Sequence, residues 1–217
     1  MSGVELCVEA RLRAGFFELD AAFAARPGVT VLFGPSASGK TLTLRAVAGL
    51  ERVSDGSIRR DGAVLDAPGA AFVAPRERRT GYAPQDAALW PHRSAREHLS
   101  PFCDAARAEE LLRVVGLSAH AGRRPARLSG GERQRLALAR AVAHGPEVLL
   151  LDEPFAALDD AARRAMGDLV RAEAARGAIV LFVTHDREEA LRLGDAFVLY
   201  DAGRAREGTL DPPPPEG

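Results

Sequence analysis

Lysine is nearly absent from this chain. Lys40 is the single lysine in 217 residues, and every other basic position is arginine. A composition that avoids lysine yet keeps one marks that position as needing a slender point charge, for which arginine's planar fork is no substitute at a crowded anion. Cysteine is scarce as well. Cys7 and Cys103 are the only two, without C-x-x-C or His/Cys spacing, so neither a zinc site nor a disulfide framework is indicated. An excess of one charge is also missing: the formal net charge of −1 argues against a binder relying on general positive charge, and no nucleic-acid partner is expected. No stretch approaches the roughly 20 apolar residues that span a bilayer. The N-terminus, MSGVELCVEARLRAG, carries acidic residues and lacks the apolar core of a signal peptide. The expectation is a soluble, cytoplasmic chain that reaches a membrane only through a partner. With 47% hydrophobic and 27% charged residues the composition is globular, and the length suits one packed domain with room for an inserted lobe.

What is present concentrates first in Val29–Thr41, VTVLFGPSASGKT. A short apolar run, Val29 to Phe33, ends at Gly34, and a helical pattern begins near Gly39. Gly34, Pro35, Ser36, Ala37, Ser38, Gly39, Lys40 and Thr41 form a complete G-x-x-x-x-G-K-[ST] match. Such a loop cradles phosphate. Its backbone N–H groups point inward, the following helix presents its positive end, Lys40 reaches the terminal phosphates and Thr41 holds Mg²⁺. Thr43 joins the candidate nucleotide-binding set.

Val4–Arg13 and Phe16–Phe23 read as strands about a turn at Ala14-Gly15. Phe17, Leu19, Ala21 and Phe23 share one face of the second strand; Phe16, Glu18 and Asp20 share the other. Ser54-Asp55-Gly56 and Asp61-Gly62 are hairpin signals bracketing a strand at Ser57–Arg60. Thr80–Pro84 is a brief strand leading to Gln85. From Asp86 to Arg127 the chain is mainly helical, cut by Pro91, Pro101 and Pro125, with Ala105–Val115 the clearest helix. Alternation then returns. Helices are expected at Gly131–His144, Asp160–Ala175 and Arg187–Leu193, and strands at Val148–Leu151, Ile179–Val183 and Ala196–Tyr200. Near-continuous apolar strands between helices indicate a parallel sheet buried on both faces. The tail DPPPPEG, Asp211 to Gly217, is expected to be disordered. There is no internal repeat.

Three further stretches carry chemistry. VLLLDE, Val148–Glu153, is a buried strand ending in carboxylates; Asp152 is the candidate metal ligand and Glu153 the general base that polarises the attacking water. LSGGE, Leu128–Glu132, places Ser129 as a helix N-cap and leaves N–H groups bare at Gly130-Gly131, a second phosphate-binding surface. Two copies facing head to tail, each lending this turn to the other's nucleotide, would use both surfaces. The plainer alternative is an ordinary capped helix with Arg133 outward and Leu136 and Ala139 in the core. IVLFVTHD, Ile179–Asp186, sets His185 at a strand end, where it could hydrogen-bond a γ-phosphate.

The order Gly34–Thr41, Gln85, Leu128–Glu132, Val148–Glu153, Leu158-Asp159 and His185 resembles the nucleotide-binding subunits of ABC transporters over nearly the whole chain. The resemblance implies an α/β fold: a P-loop NTPase core with a mostly parallel sheet, an N-terminal antiparallel β subdomain and an inserted helical subdomain at roughly 86–128, all within one ATPase domain over 1–210. It implies ATP and Mg²⁺, with Thr41, Gln85 and Asp152 at the metal. Glu153, His185 and Gln85 are then catalytic, and Ser129, Gly130, Gly131, Glu132 and Asp159 are nucleotide-contacting residues. The implied assembly is a dimer with two ATP molecules between facing copies. GYAPQDAALWPHRSAREHL and VTHDREEALRLGDAFVLYDAGRAREGT look like bacterial importer ATPases. RRTGYAPQDAALWPH and the hairpin at Asp61–Asp66 most resemble molybdate-type oxyanion importers, though sulfate, iron, polyamine and sugar importers share much of the pattern. Such a subunit works at the cytoplasmic face of the plasma membrane, bound to transmembrane permease subunits and served indirectly by a solute-binding protein.

Three departures stand out. Ala37 replaces a family glycine; if the backbone there needs positive φ, its Cβ costs about 1 kcal/mol. The adenine-stacking aromatic is assigned to Phe16, because Phe17 lies on the apolar face with Leu19, and the alternative is a strand aromatic covering core. Many relatives carry a C-terminal β-rich regulatory domain, which is expected to be absent here or to reside elsewhere. The segment Gln85–Arg96, with Leu89, Trp90 and Pro91, reads as a groove for a short helix of the permease; otherwise it is a surface loop whose Trp90 covers core. A soluble ABC ATPase acting on DNA or ribosomes and a P-loop kinase of a small metabolite are the rival readings. The first usually needs a long insertion or two fused cassettes, and the second has no use for LSGGE.

Overall fold

Strict alternation builds the first hairpin of the computed structural model, which describes residues 4–70 and 72–210. Strands β1 (Leu6–Ala14) and β2 (Phe17–Ala25) pair antiparallel from Leu6↔Ala25 to Ala14↔Phe17. Leu19, Ala21, Phe23 and Ala25 are buried on the inner face, while Glu18, Ala22 and Ala24 remain outside. Strand β3 (Gly28–Phe33), buried along its centre, delivers the chain to helix α1 (Lys40–Ala48), which Gly49 ends in the left-handed conformation. Strands β4 (Asp55–Arg60) and β5 (Ala63–Asp66) follow as a hairpin.

Gly56 corrects the expected turn at Ser54–Gly56. It lies inside β4 opposite Ala10, where an added Cβ would sit 2.0 Å from the Glu9 carbonyl oxygen. The glycine is there for close backbone approach, and the strand starts at Asp55.

Next come β6 (Thr80–Ala83), α2 (Ala95–Leu99), α3 (Ala105–Val114), α4 (Gly130–Val142), β7 (Val148–Asp152) and α5 (Asp160–Ala175). Then β8 (Ile179–Thr184), α6 (Arg187–Leu193), β9 (Ala196–Asp201) and β10 (Arg204–Gly208) complete ten strands among the described residues. The helices expected at 160–175 and 187–193 have those bounds, because Asp159 and Asp186 cap their N-termini through their carboxylates. β10 was not anticipated. Its sequence, RAREG, has no β-branched or aromatic residue; it is a strand because it pairs antiparallel with β9 and parallel with β2.

The chain divides into two compact units, Met1–Arg78 with Leu181–Gly217, and Arg79–Val180. In the first, the strands are ordered β5-β4-β1-β2-β10-β9-β3, antiparallel through the N-terminal region and parallel where β3 meets β9. In the second, β6 and β7 run parallel, and β6 packs on α4 so tightly that a Cβ on Gly81 would lie 2.0 Å from the Ala141 carbonyl oxygen. The sheet is thus mixed, antiparallel among the N-terminal strands and parallel where β3 meets β9 and β6 meets β7, as the expected core with its antiparallel subdomain requires. The segment expected to form a helical insertion, 86–128, contains α2, α3 and two short 3₁₀ turns. The tail from Asp211 lies outside the described residues.

Candidate functional site

The first unit carries the phosphate loop. Apolar burial holds β3 in place, and residues 34–39 turn the chain into α1, whose N-cap is Gly39 at φ 108°, with no side chain capping the helix. Glycine is required twice. A Cβ on Gly34 would lie 2.4 Å from the Tyr200 carbonyl oxygen, and one on Gly39 would lie 2.8 Å from Leu19 Cδ1. Ala37 is exposed at φ 60°, the left-handed region that an alanine pays to enter. Pro35 and Ser36 are exposed, Ser38 is buried, and the Lys40 ammonium donates to Gly34 O at 2.8 Å, Pro35 O at 2.6 Å and Ser38 Oγ at 3.4 Å. A buried ammonium facing the loop's own carbonyls gives the concave side a fixed positive charge.

Thr41 is exposed and Thr43 is buried. The Thr43 hydroxyl donates to Gly39 O at 3.2 Å and accepts from the Tyr200 hydroxyl at 2.8 Å, so it fastens the loop to its helix. Burial pushes the Tyr200 phenol up from its usual range and keeps it a neutral donor. Phe16 is fully exposed at the hairpin, whereas the Phe17 ring lies 3.3 Å from where a Gly39 Cβ would be. His185, exposed, follows β8 between two anchored neighbours: Thr184 Oγ1 donates to Glu189 Oε2 at 2.9 Å, and Asp186 accepts from the Glu188 and Glu189 amides at 2.9 and 3.1 Å.

At the far end of α1, Arg78 is fully buried. It donates through Nη1 to Ala46 O and Val47 O at 2.9 and 3.0 Å, through Nε to Val73 O at 2.9 Å and through Nη2 to Leu65 O at 3.2 Å. The guanidinium therefore satisfies carbonyls at the helix C-terminus, where a cation also suits the macrodipole.

The second unit carries the carboxylates. Strand β7 is buried throughout and ends at Asp152, only 2% exposed. The chain then turns through Glu153 at φ 46°, which swings its carboxylate to within 3.4 Å of Gln85 Nε2, the donor. Past Gln85, Ala87 and Ala88 adopt φ 62° and 40°. Their carbonyls accept from Arg140 at 3.0 and 2.7 Å, and Gln85 O accepts from Gln134 Nε2 at 2.8 Å. Trp90 is half-buried, stacked on His98 with ring centroids 5.2 Å apart, with the Arg93 guanidinium 4.8 Å from its centroid. Its backbone N–H donates to His98 Nε2 at 2.9 Å, which leaves the proton on Nδ1, 2.7 Å from Ser94 O. Trp90 thus packs against His98, Phe102, Arg93 and Arg140 while staying half-buried.

Ser129 caps α4 in a full capping box. Its hydroxyl accepts from Glu132 N at 3.2 Å, and its N–H donates to the Glu132 carboxylate at 2.6 Å. The Ser129 amide, followed by weaker help from its hydroxyl and from His120, holds Glu132 below the usual carboxylate range. His120 Nδ1 lies 2.5 Å from Glu132 Oε1. Gly131 faces the loop before α5, where its Cβ would stand 2.8 Å from Ala157 O, and Gly130 is open. Asp159 caps α5 through Oδ1, accepting from Ala162 N at 2.8 Å.

Each unit therefore gathers its own part of the expected set: the loop, Thr43, Phe16 and His185 in one, and Gln85, Asp152, Glu153, Asp159 and the Ser129–Glu132 turn in the other. Sequence reasoning missed Arg78, Gln134, Arg140 and Tyr200. The donor chemistry of the expected metal set, a hydroxyl from Thr41, a carboxylate from Asp152 and the amide oxygen of Gln85, is all hard oxygen and fits Mg²⁺.

A helix N-terminus built to face anions, a strand-end carboxylate pair and a capped Ser-Gly-Gly turn define an ATP-binding cassette. The ABC transporter family profile matches residues 21–156, and the chain belongs to that family. It is 40% identical, over 95% of its length, to the molybdenum import ATP-binding protein ModC of Paramagnetospirillum magneticum, covering 60% of that protein. It is 43% identical to the spermidine/putrescine import ATP-binding protein PotA of Pseudomonas fluorescens over 80% of this chain and 49% of that protein. It is 43% identical to the sulfate/thiosulfate import ATP-binding protein CysA of Caulobacter vibrioides over 83% and 56%. The chain thus spans between 49% and 60% of the length of these relatives. Among solved structures, a dimeric bacterial ABC transporter cassette superposes with a TM-score of 0.83 at 26% identity, covering 96% of this chain and 99% of that one. The ATP-binding subunit of an ABC transporter gives 0.82 at 28%, covering 97% and 91%.

Proposed function

We propose that this chain is the ATP-binding and ATP-hydrolysing subunit of an ABC importer. The observation that carries the reading is the Gly34–Thr41 loop, with its uncapped helix N-terminus at Gly39 and buried Lys40 ammonium. ATP lies on this loop with its adenine against Phe16, and His185 meets the γ-phosphate. Thr41, Asp152 and Gln85 would hold Mg²⁺, which would supply positive charge against the phosphates. Glu153 takes a proton from the attacking water and Gln85 keeps its carboxylate in place. Ser129, Gly130, Gly131, Glu132 and Asp159 serve the nucleotide of a facing copy, and the dimer sits on permease subunits through the Gln85–Arg96 segment at the inner face of the membrane, fed by a solute-binding protein. No helix among the described residues is long and apolar enough to cross a bilayer itself.

Molybdate or a related oxyanion is the proposed cargo, supported by the ModC likeness over nearly the full chain. The PotA and CysA likenesses support a second reading, in which the cargo is a polyamine or sulfate. Glu153→Gln tests the central reading. It should bind ATP and accumulate as an ATP-dependent dimer by gel filtration while turnover disappears. Hydrolysis at the parental rate would remove Glu153 from the chemistry.

A further inference from the structure

The turn proposed to engage one nucleotide and the carboxylate proposed to activate water at the other are joined within one unit by a short run of hydrogen bonds. Helix α4 begins at the Ser129 cap. Gln134, in the first turns of that helix, donates through Nε2 to the main-chain oxygen of Gln85 at 2.8 Å. The Gln85 side chain donates in turn to Glu153 Oε2 at 3.4 Å. Both amide orientations are forced, because a carbonyl and a carboxylate only accept. A second fastening lies six residues along α4, where Arg140 donates to Ala87 O and Ala88 O. A helix rises about 1.5 Å per residue, so the two fastenings are roughly 9 Å apart on a stiff rod. A loop held at two such points follows the rod's translation and rotation and does not pivot about either. Ala87 and Ala88 both hold positive φ, a strain that persists only while something restrains them, and Arg140 supplies the restraint.

We infer that Gln134 and Arg140 are positioning residues that make the Ser129–Glu132 turn and the Gln85 loop one moving part, so that nucleotide engaged by this turn sets the Glu153 carboxylate at the other site of the dimer. The inference rests on the two-nucleotide dimer proposed above. Its content is a direction of coupling. The turn touches the facing copy's ATP while Glu153 serves its own, so the linkage runs between sites.

Gln134 and Arg140 are both half-buried, and Gln134 makes a single hydrogen bond to the loop, so its substitution removes one defined contact. Steady-state ATP hydrolysis by the purified full chain, parent against Gln134→Ala, Gln134→Glu and Gln134→Lys, reads the coupling. The parent should be cooperative in ATP. Gln134→Ala and the donor-less Gln134→Glu should lose that cooperativity, with Hill coefficients near 1 and kcat down roughly fivefold, the worth of one hydrogen bond. Their melting temperature and their affinity for a fluorescent ATP analogue should match the parent. Gln134→Lys, which keeps a donor, should retain cooperativity. A parent that hydrolyses ATP without cooperativity, or Ala and Lys variants that behave alike, overturns the linkage. A parent with no ATP hydrolysis overturns the proposed function itself, and with it the coupling.

Discussion

Replacing Ala37 by glycine isolates the strain built into the phosphate loop. At φ 60° the alanine Cβ crowds the following carbonyl, which costs on the order of 1–2 kcal/mol. Glycine removes that cost but adds freedom to the unfolded chain, which takes back about 0.5–1 kcal/mol. The side chain is exposed, so no packing is lost. The net gain is therefore up to about 1.5 kcal/mol, and it can surface in two places. Strain present whether or not nucleotide is bound appears as stability, a rise of roughly 2–4 °C in Tm per kcal/mol for a chain of this size. Strain that the loop adopts only around a phosphate appears as affinity, up to about tenfold in Kd for ATP. The two gains share one source, so a variant showing the full size of both would need a second cause. Thermal melts and ATP titration on the same preparation, with Ala37→Val as the opposite perturbation, measure the partition. Valine should lower stability, since a β-branched residue at positive φ is strained further. If Ala37→Gly lowers Tm and weakens ATP binding together, the positive φ is not a strained state and the reasoning fails.

Two further predictions concern buried cations and imidazoles. Arg78→Met should cost about 3–5 kcal/mol in urea unfolding, because it strips donors from four carbonyls in a site without water access; a loss under about 1 kcal/mol would mean those carbonyls find other donors. His98 is buried, faced by Trp90, Arg93, Arg140, Glu97 and the Ser94 carbonyl, and burial first, then the two arginines, lowers its pKa from the ordinary 6.5. The unfolded chain then binds more protons than the folded one just below pH 6.5. Stability is full above that pH and falls as the pH drops toward the folded value of His98, by at most about 1.4 kcal/mol per pH unit. His98→Gln should flatten the fall between pH 6.5 and 5; an unchanged slope in that variant would assign the pH dependence to other groups.

The parts that sequence made legible are those with a local cause. Gly34–Thr41 announces itself because the glycine and lysine positions are dictated by one backbone path. The bounds of α5 and α6 follow from Asp159 and Asp186, whose carboxylates cap the adjacent turn. The identity of Ala37 flagged a strained position before any angle was known. Arg78 and Arg140 were invisible for a different reason. Their partners are main-chain carbonyls, which every segment offers, so no pairing residue in the sequence points to them. The avoidance of lysine hides them further, because buried arginines look like the many exposed ones. β10 failed for lack of propensity. Its strand character comes from the edges of β9 and β2, both distant in sequence from the local signal that would have marked it.

The two helix starts expected to meet phosphate are built on opposite terms, and the difference orders events. α1 opens on Gly39 with no side-chain cap, and Lys40 beside it is buried against the loop's own carbonyls. Its positive end is arranged for an anion, and nothing from the N-cap side chain substitutes for one. α4 opens on a complete capping box, with Ser129 and Glu132 satisfying each other's amides and the Glu132 carboxylate adding negative charge beside the turn. The capping box satisfies that helix start from within, and a phosphate approaching it meets the negative charge of Glu132. Under the function proposed above, ATP is expected to load on α1 first, with the Ser129–Glu132 turn engaging only a nucleotide already held by another copy. Sequential loading followed by closure is what that asymmetry demands. A dimer that formed before ATP reached the Gly34–Thr41 loop would contradict it.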